Sequence, residues 1–157
     1  MKCFWITALL ALAGDVASKW ATNRFLDHVV KLGKLLELRS IHNTGMALGI
    51  FNRYPLAGVL LPLAAILCWW WLMRRYQLTK FTYVSCGLIA GGFVGNYGQR
   101  ILQGYVLDMI YFPWMPWFIC NVADICICFG VALLAYSLFL RPQDWEEKTR
   151  STEDAED

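Results

Sequence analysis

The sequence predicts a small integral membrane protein, all-α in its membrane part with four transmembrane helices and a minor extended portion, and three observations carry that prediction. The composition is 58% hydrophobic, 15% aromatic and 17% charged, with a mean hydropathy of +0.43, which excludes a water-soluble domain of ordinary surface. Two uncharged stretches, Tyr54 to Met73 and Phe81 to Gln99, each cross a hydrocarbon core of roughly 30 Å at about 1.5 Å per residue. Finally, Asp108 and Asp124 sit in short apolar contexts. A carboxylate at membrane depth costs roughly 2.5–3.5 kcal/mol, so each is expected to have a partner or a chemical task.

The first span covers about 3–22. Lys2, the apolar run after it and Ala11-Leu12-Ala13 would also suit a cleavable secretory signal peptide. Apolar helical character resumes past Asp15, however, through Val16, Ala17, Trp20 and Ala21. Asp15 and Lys19 stand at i,i+4 in the favourable acid-first order, so a retained span with a structural ion pair is predicted. The polar excursion at 23–53 is too long for a simple turn, and the alternation in Leu36-Glu37-Leu38-Arg39 makes part of it extended.

The second span, 54–73, holds Trp69-Trp70-Trp71 just before Arg74-Arg75, the pattern of an aromatic belt ending in a basic cytoplasmic turn. In the third, 81–99, Gly87, Gly91 and Gly95 recur every four residues and let a neighbouring helix approach closely. Asn96 and Arg100 continue that face at the membrane boundary. An amide and a fixed guanidinium there could hold a peptide carbonyl, hold a lipid head group, or tie down the loop.

The fourth span, 119–140, is broken only by Asp124. Asn121 is its expected N-cap, which places Asp124 at the third helical position, where the helix dipole favours an ionised carboxylate. Pro113, Trp114, Pro116 and Trp117 lie between the two aspartates and predict an interfacial lid or hairpin. Four spans put both termini on one side. Basic residues divide almost evenly between the two sides, so the Trp-to-Arg pattern assigns the termini to the cytoplasm. The acid-rich tail, 141–157, is expected to be a disordered, solvated end.

The same residues exclude several functions. Six cysteines include no C-x-x-C, whereas a membrane disulfide oxidoreductase needs paired thiols outside the bilayer. Buried cysteine behaves as a small hydrophobe. His28 and His42 lie outside any ligand-like cluster, so no metal, no other cofactor and no nucleic-acid partner is expected. What the carboxylates can do is clearer. Two of them a few ångströms apart cannot both ionise easily, so one keeps a proton while the other activates water, which is aspartic-protease chemistry. The alternative is a small proton-coupled membrane carrier relaying through Asp15, Asp108 and Asp124. A carrier needs carboxylates spread through the bilayer depth, whereas Asp108 and Asp124 fall toward one membrane face.

Five blocks, in order and in register with the four spans, make the chain resemble the bacterial lipoprotein signal peptidases (type II). They are D-V-A-S-K at Asp15–Lys19, N-T-G-M-A-L-G at Asn43–Gly49, G-G-F-V-G-N-Y-G-Q-R at Gly91–Arg100, V-L-D at Val106–Asp108 and C-N-V-A-D at Cys120–Asp124. The resemblance implies an aspartic endopeptidase of the bacterial cytoplasmic membrane, acting near its outer face. Its substrates would be diacylglyceryl-modified prolipoproteins, cut just before the lipidated cysteine, and globomycin, a cyclic lipopeptide, would inhibit it. The catalytic dyad maps onto Asp108 and Asp124. Asn43, Gly45, Asn96, Arg100 and Asn121 would surround it and position substrate, with Asp15 and Lys19 supporting the fold and membrane lipid as a further partner. Residues 23–53 would form the family's extracytoplasmic β-cradle. Three positions depart from the family pattern: Gln99 replaces the usual Asp before the arginine, and Leu48 and Cys120 replace Phe. Because Gln cannot balance a guanidinium, Arg100 is expected to face lipid phosphate or another partner, and the pocket walls are expected to differ.

Overall fold

Small residues decide which helices meet. The computed structural model describes residues 1–44, 64, 67–72 and 74–147. Helix α1 (Lys2–Phe25) lies along helix α2 (Lys80–Gln103) on the predicted glycine face. A methyl group on Gly87 would stand 2.7 Å from the Phe4 carbonyl oxygen, one on Gly91 would strike the Ala8 carbonyl, and one on Gly95 would strike the Asp15 carboxylate. The adjacent face of α2 takes helix α3 (Val122–Leu140): Gly92 meets Ala123, and Gly130 of α3 meets Ser85 and Ile89. Thus α2 is the central helix, close-packed on both flanks by residues without side-chain bulk. Most of the predicted span at 54–73 lies outside the described residues, but residues 67–72 and 74–75 are helical. The Arg74 guanidinium lies 4.6 Å from the Trp70 ring centroid.

The outward faces of the helices are apolar. Trp5, Leu9, Leu10, Val16 and Trp20 on α1, and Phe129, Leu138 and Phe139 on α3, are all exposed, the reverse of a water-soluble domain. Among the described residues, α3 is the one helix long and apolar enough, by length and composition, to cross a bilayer. Helices α1 and α2 are 24 residues each and carry more polar groups inward.

One end of the bundle carries a four-stranded antiparallel sheet in chain order, built from β1 (Val30–Leu32), β2 (Leu36–Asn43), β3 (Val106–Tyr111) and β4 (Ile119–Cys120). The extended segment expected around Leu36–Arg39 is the start of β2, reached through a turn at Gly33, whose φ of 74° is a conformation that disfavours other side chains. Tyr111 pairs with Ile119, so the Trp-rich segment between them is the tip of a hairpin, with Trp114 and Trp117 exposed.

The register of β2 against β3 matters for the site. Leu38 pairs with Ile110, but Ile41 pairs with Asp108, so one extra residue bulges from β2. Without it Ser40 would oppose Asp108 and Asn43 would point to the opposite face. With it Ile41, Asn43 and Asp108 share one face.

At the other end, the tail departs from expectation. Rather than beginning in disorder at Arg141, the chain makes a 3-10 turn over Pro142–Trp145, and Asp144 is fully buried. Asp144 accepts hydrogen bonds from Thr79 Oγ1 (2.8 Å), Ser137 Oγ (2.8 Å) and Arg141 Nε (2.6 Å). Gln77 N–H donates to the Glu146 carbonyl, and Arg75 pairs with Glu147 at 2.8 Å. Composition alone gave no sign of this, because each partner is polar and unremarkable in sequence. Residues 148–157 lie outside the described residues.

Candidate active site

Five polar side chains from four separate elements converge where the sheet meets the helix ends. Asp124 is placed by the first turn of α3, whose N-cap is Asn121, as the spacing predicts. The Asn121 side-chain oxygen accepts from Asp124 N–H at 3.0 Å, and Asp124 Oδ2 accepts from Asn121 N–H at 3.1 Å, a reciprocal capping box. That box fixes the carboxylate at the positive end of the helix dipole. Its other oxygen, Oδ1, accepts from Asn96 Nδ2 of α2 at 2.7 Å.

Asp108 is placed by β3, where Val106, Leu107, Asp108 and Met109 are all buried. Both of its oxygens are occupied: Asn43 Nδ2 donates to Oδ2 at 2.7 Å, and Asn121 Nδ2 donates to Oδ1 at 2.6 Å. The first contact depends on the bulge, which makes Asn43 the diagonal neighbour of Asp108. The second makes Asn121 a bridge, since one amide serves both carboxylates through its two ends. Burial pushes the Asp108 carboxyl above its ordinary value, opposed by the donors Asn43 and Asn121 and by the charges of Arg100 and Lys19. The carboxylates of Asp108 and Asp124 both act on Arg100 electrostatically.

Asp15 and Lys19 form the predicted ion pair, at 2.6 Å and almost completely buried, and reach further than the i,i+4 spacing could show. Lys19 Nζ also donates to Asn96 Oδ1 at 2.8 Å, so the Asn96 amide is polarised toward Asp124. Asp15 Oδ1 accepts from Ala123 N–H at 2.9 Å, satisfying one of the orphan donors of α3 beside the site. A chain of contacts thus runs Asp15, Lys19, Asn96, Asp124, Asn121, Asp108, Asn43. Sequence offered no direct signal for Asp15 meeting Ala123, although the missing side chain at Gly95 is what leaves room for the Asp15 carboxylate. Gly45 and Leu48 lie outside the described residues.

Gln99 is not beside the acidic pair. Its Oε1 accepts from Leu107 N–H at 3.0 Å, and its Nε2 donates to Gln103 Oε1 at 2.9 Å. Cys120 is buried and lines an apolar groove of about 410 Å³ together with Phe112, Phe118, Ile125, Phe129 and Asp124. Burial pushes its thiol up to about 12, so the sulfur stays protonated and serves as a small apolar wall. Among the described residues, no group of three or more His, Cys, Asp or Glu side chains has the arrangement to hold a metal ion.

Set beside known proteins, residues 7–140 match a family model described as signal peptidase (SPase) II. The chain is 34% identical over 143 residues to a lipoprotein signal peptidase of Symbiobacterium thermophilum, covering 86% of this chain and 93% of the relative. It is 30% identical over 159 residues to a lipoprotein signal peptidase of Pseudoalteromonas translucida, covering 92% of each. Among solved structures, a bacterial membrane enzyme superposes with a TM-score of 0.76 over 96% of this chain and 95% of that one, at 21% identity, a likeness of fold.

Proposed function

The chain belongs to the signal peptidase (SPase) II family, and from that premise we propose that Asp108 and Asp124 are the acid–base pair of a membrane aspartic endopeptidase. Its substrates are diacylglyceryl-modified prolipoproteins, and the bond cut is the one before the lipidated cysteine. The observation that carries this is the double role of Asn121, which hydrogen-bonds Asp108 from its amide nitrogen and caps Asp124 from its amide oxygen. A buried Asp108 and a half-buried Asp124, from different elements but held by one residue, form a unit; a pair of unrelated structural aspartates has no need of such a bridge.

The roles divide by surroundings. Asp124 sits at a helix N-terminus and accepts from Asn121 N–H and Asn96 Nδ2, donors that favour the ionised form and make it the general base toward water. Asp108, on a strand and held by two side-chain amides with no helix dipole or backbone donor among the described residues, keeps the proton and presents it to the oxygen of the scissile carbonyl. Water adds to the carbonyl carbon as its proton passes to Asp124. The resulting tetrahedral carbon then expels the cysteine amine, which takes a proton from the pair, and the carbonyl re-forms as the signal peptide's new carboxyl end. Arg100, acting on both carboxylates, keeps the pair's net charge tolerable in an apolar setting.

The groove lined by Phe112, Phe118, Phe129 and Asp124 suits an apolar segment of substrate or lipid. In this proposal α1, the helix ending near residue 75, α2 and α3 are four spans. The termini are cytoplasmic, and the sheet is an extracytoplasmic cradle that sets the acidic pair near the outer face. Globomycin occupies the same site. Proton relay through Asp15 is disfavoured, because that carboxylate is committed to Lys19 and to Ala123 N–H. Purified protein in detergent, given a diacylglyceryl-cysteine prolipoprotein, is expected to release the signal peptide, to be blocked by globomycin and to be indifferent to EDTA. Failure to cleave lipidated substrate would overturn the proposal, and loss of activity with EDTA that a metal restores would redirect it to a metallopeptidase.

A further inference from the structure

We propose that Gln99 is a positioning residue for Asp108, holding the strand that carries it by accepting the Leu107 backbone hydrogen; this rests on the catalytic role of Asp108 given above. Strand β4 pairs with Ile110 and Tyr111 only and stops short of Leu107. Leu107 is 2% exposed, so its N–H is shut away from water and takes its acceptor from a side chain rather than a strand. Gln99 Oε1 supplies it at 3.0 Å from the last turns of α2.

The amide is oriented, not free to turn. A backbone N–H can only donate, so the oxygen must face Leu107, and the nitrogen is held on the other side by Gln103 Oε1 at 2.9 Å. Between helix and strand the chain has only Gly104 and Tyr105. Gly104 reverses direction at φ 79° while its N–H closes the helix on the Arg100 carbonyl. Gln99 therefore fixes the strand one residue from Asp108, at the point where the helix end could otherwise slide against it. Both Asp108 oxygens are already aligned by short bonds to Asn43 and Asn121, and displacement of a few tenths of an ångström would weaken one or both.

The test is steady-state cleavage of a diacylglyceryl-cysteine prolipoprotein by Gln99→Leu, Gln99→Asn, Gln99→Glu and Asp108→Asn in detergent, with amide hydrogen exchange at Leu107. Gln99→Leu, which lacks the acceptor, and Gln99→Asn, which is too short to reach, are expected to lose about tenfold in kcat with KM within about twofold, and to speed exchange at Leu107. Gln99→Glu retains length and acceptor and should recover most of kcat. If Gln99→Leu or Gln99→Asn keeps wild-type kcat, or if Leu107 exchange is unchanged in both, the positioning role is wrong even though Asp108→Asn is inactive. Failure of Gln99→Glu to rescue would likewise overturn it. Should Asp108→Asn itself turn over normally, the proposed peptidase mechanism fails first and takes this role with it. If Gln99→Leu does not fold, the Gln99→Asn and Gln99→Glu comparison decides.

Discussion

Asp15, on the first helix, accepts the backbone N–H of Ala123 at 2.9 Å, one residue before Asp124. That bond joins the N-terminal helix to the start of the helix bearing half of the acidic pair, and it explains why an ionic group is buried there at all. Asp15 has a second task, taking Lys19 at 2.6 Å, and Lys19 in turn holds Asn96 against Asp124. The consequence is that the ion pair is coupled to the site through two routes, one ending on each side of Asp124.

We therefore predict that Lys19→Met, which leaves Asp15 buried without its counter-charge, lowers stability by about 3–5 kcal/mol and reduces cleavage as well. Asp15→Asn should be milder, because an amide oxygen can still accept from Ala123 N–H. Thermal unfolding in detergent, followed by tryptophan fluorescence alongside activity, checks the order. Equal stability of Lys19→Met and wild type would contradict the coupling.

Gly95→Ala and Gly98→Ala form a matched pair three residues apart. A methyl group at Gly95 meets the Asp15 carboxylate, while at Gly98 it meets nothing within 4 Å. Gly95→Ala should cost about 1–3 kcal/mol and a large part of the activity, since Asp15 or the whole of α1 must move. Gly98→Ala should be neutral or stabilising by up to about 1 kcal/mol, as an alanine in a helix interior. Melting temperatures of the two variants give the answer, and a similar loss in both would show that packing of α1 on α2 is not what Gly95 serves.

Asn121 can be split into its two functions. Asn121→Asp keeps an oxygen for the helix cap but removes the donor to Asp108 and adds a third carboxylate. Asn121→Ala removes both contacts. Stability should fall by about 1 kcal/mol for Asn121→Ala. Cleavage should be nearly abolished in Asn121→Asp even in protein that remains folded. Substantial turnover by Asn121→Asp would mean that the bridge between the carboxylates is dispensable.

Away from the site, Arg141 beside Asp144, with Ser137 and Thr79 also donating, holds the Asp144 carboxyl below its ordinary value of 3.8. A depressed folded value means that the contribution of Asp144 is fully present above the unfolded value and is lost as pH falls through the folded one. Stability measured from pH 7 down to about pH 2 should therefore drop at the acid end more steeply in wild type than in Asp144→Asn, which starts lower at neutral pH. Parallel curves for the two proteins would contradict the assignment.

Much of this was legible in the sequence, for physical reasons that differ from residue to residue. Asn121 and Asp124 are three apart at a helix start, and Asp15 and Lys19 are one helical turn apart, so local geometry alone predicted both contacts. The glycine period at 87, 91 and 95 forecast the α1–α2 contact because only small residues allow backbones so close. The bulge in β2 was not legible, since it is a matter of pairing between segments more than 60 residues apart, and without it Asn43 could not reach Asp108. Nor was the Gln99 contact, because a glutamine near a membrane boundary carries no signal for a particular backbone hydrogen. The ordered turn at Pro142–Trp145 was hidden for the opposite reason: an acid-rich segment looks solvated, yet Asp144 finds three donors.

If Asp108 and Asp124 act as one unit, a cycle of single and double variants measures it most directly. Cleavage of a diacylglyceryl-cysteine prolipoprotein by Asp108→Asn, Asp124→Asn and the double variant should give near-complete loss in each single, with the double little worse than either, because members of a catalytic unit are not additive. A folded single variant that retained wild-type turnover, or losses that simply multiplied in the double variant, would contradict it.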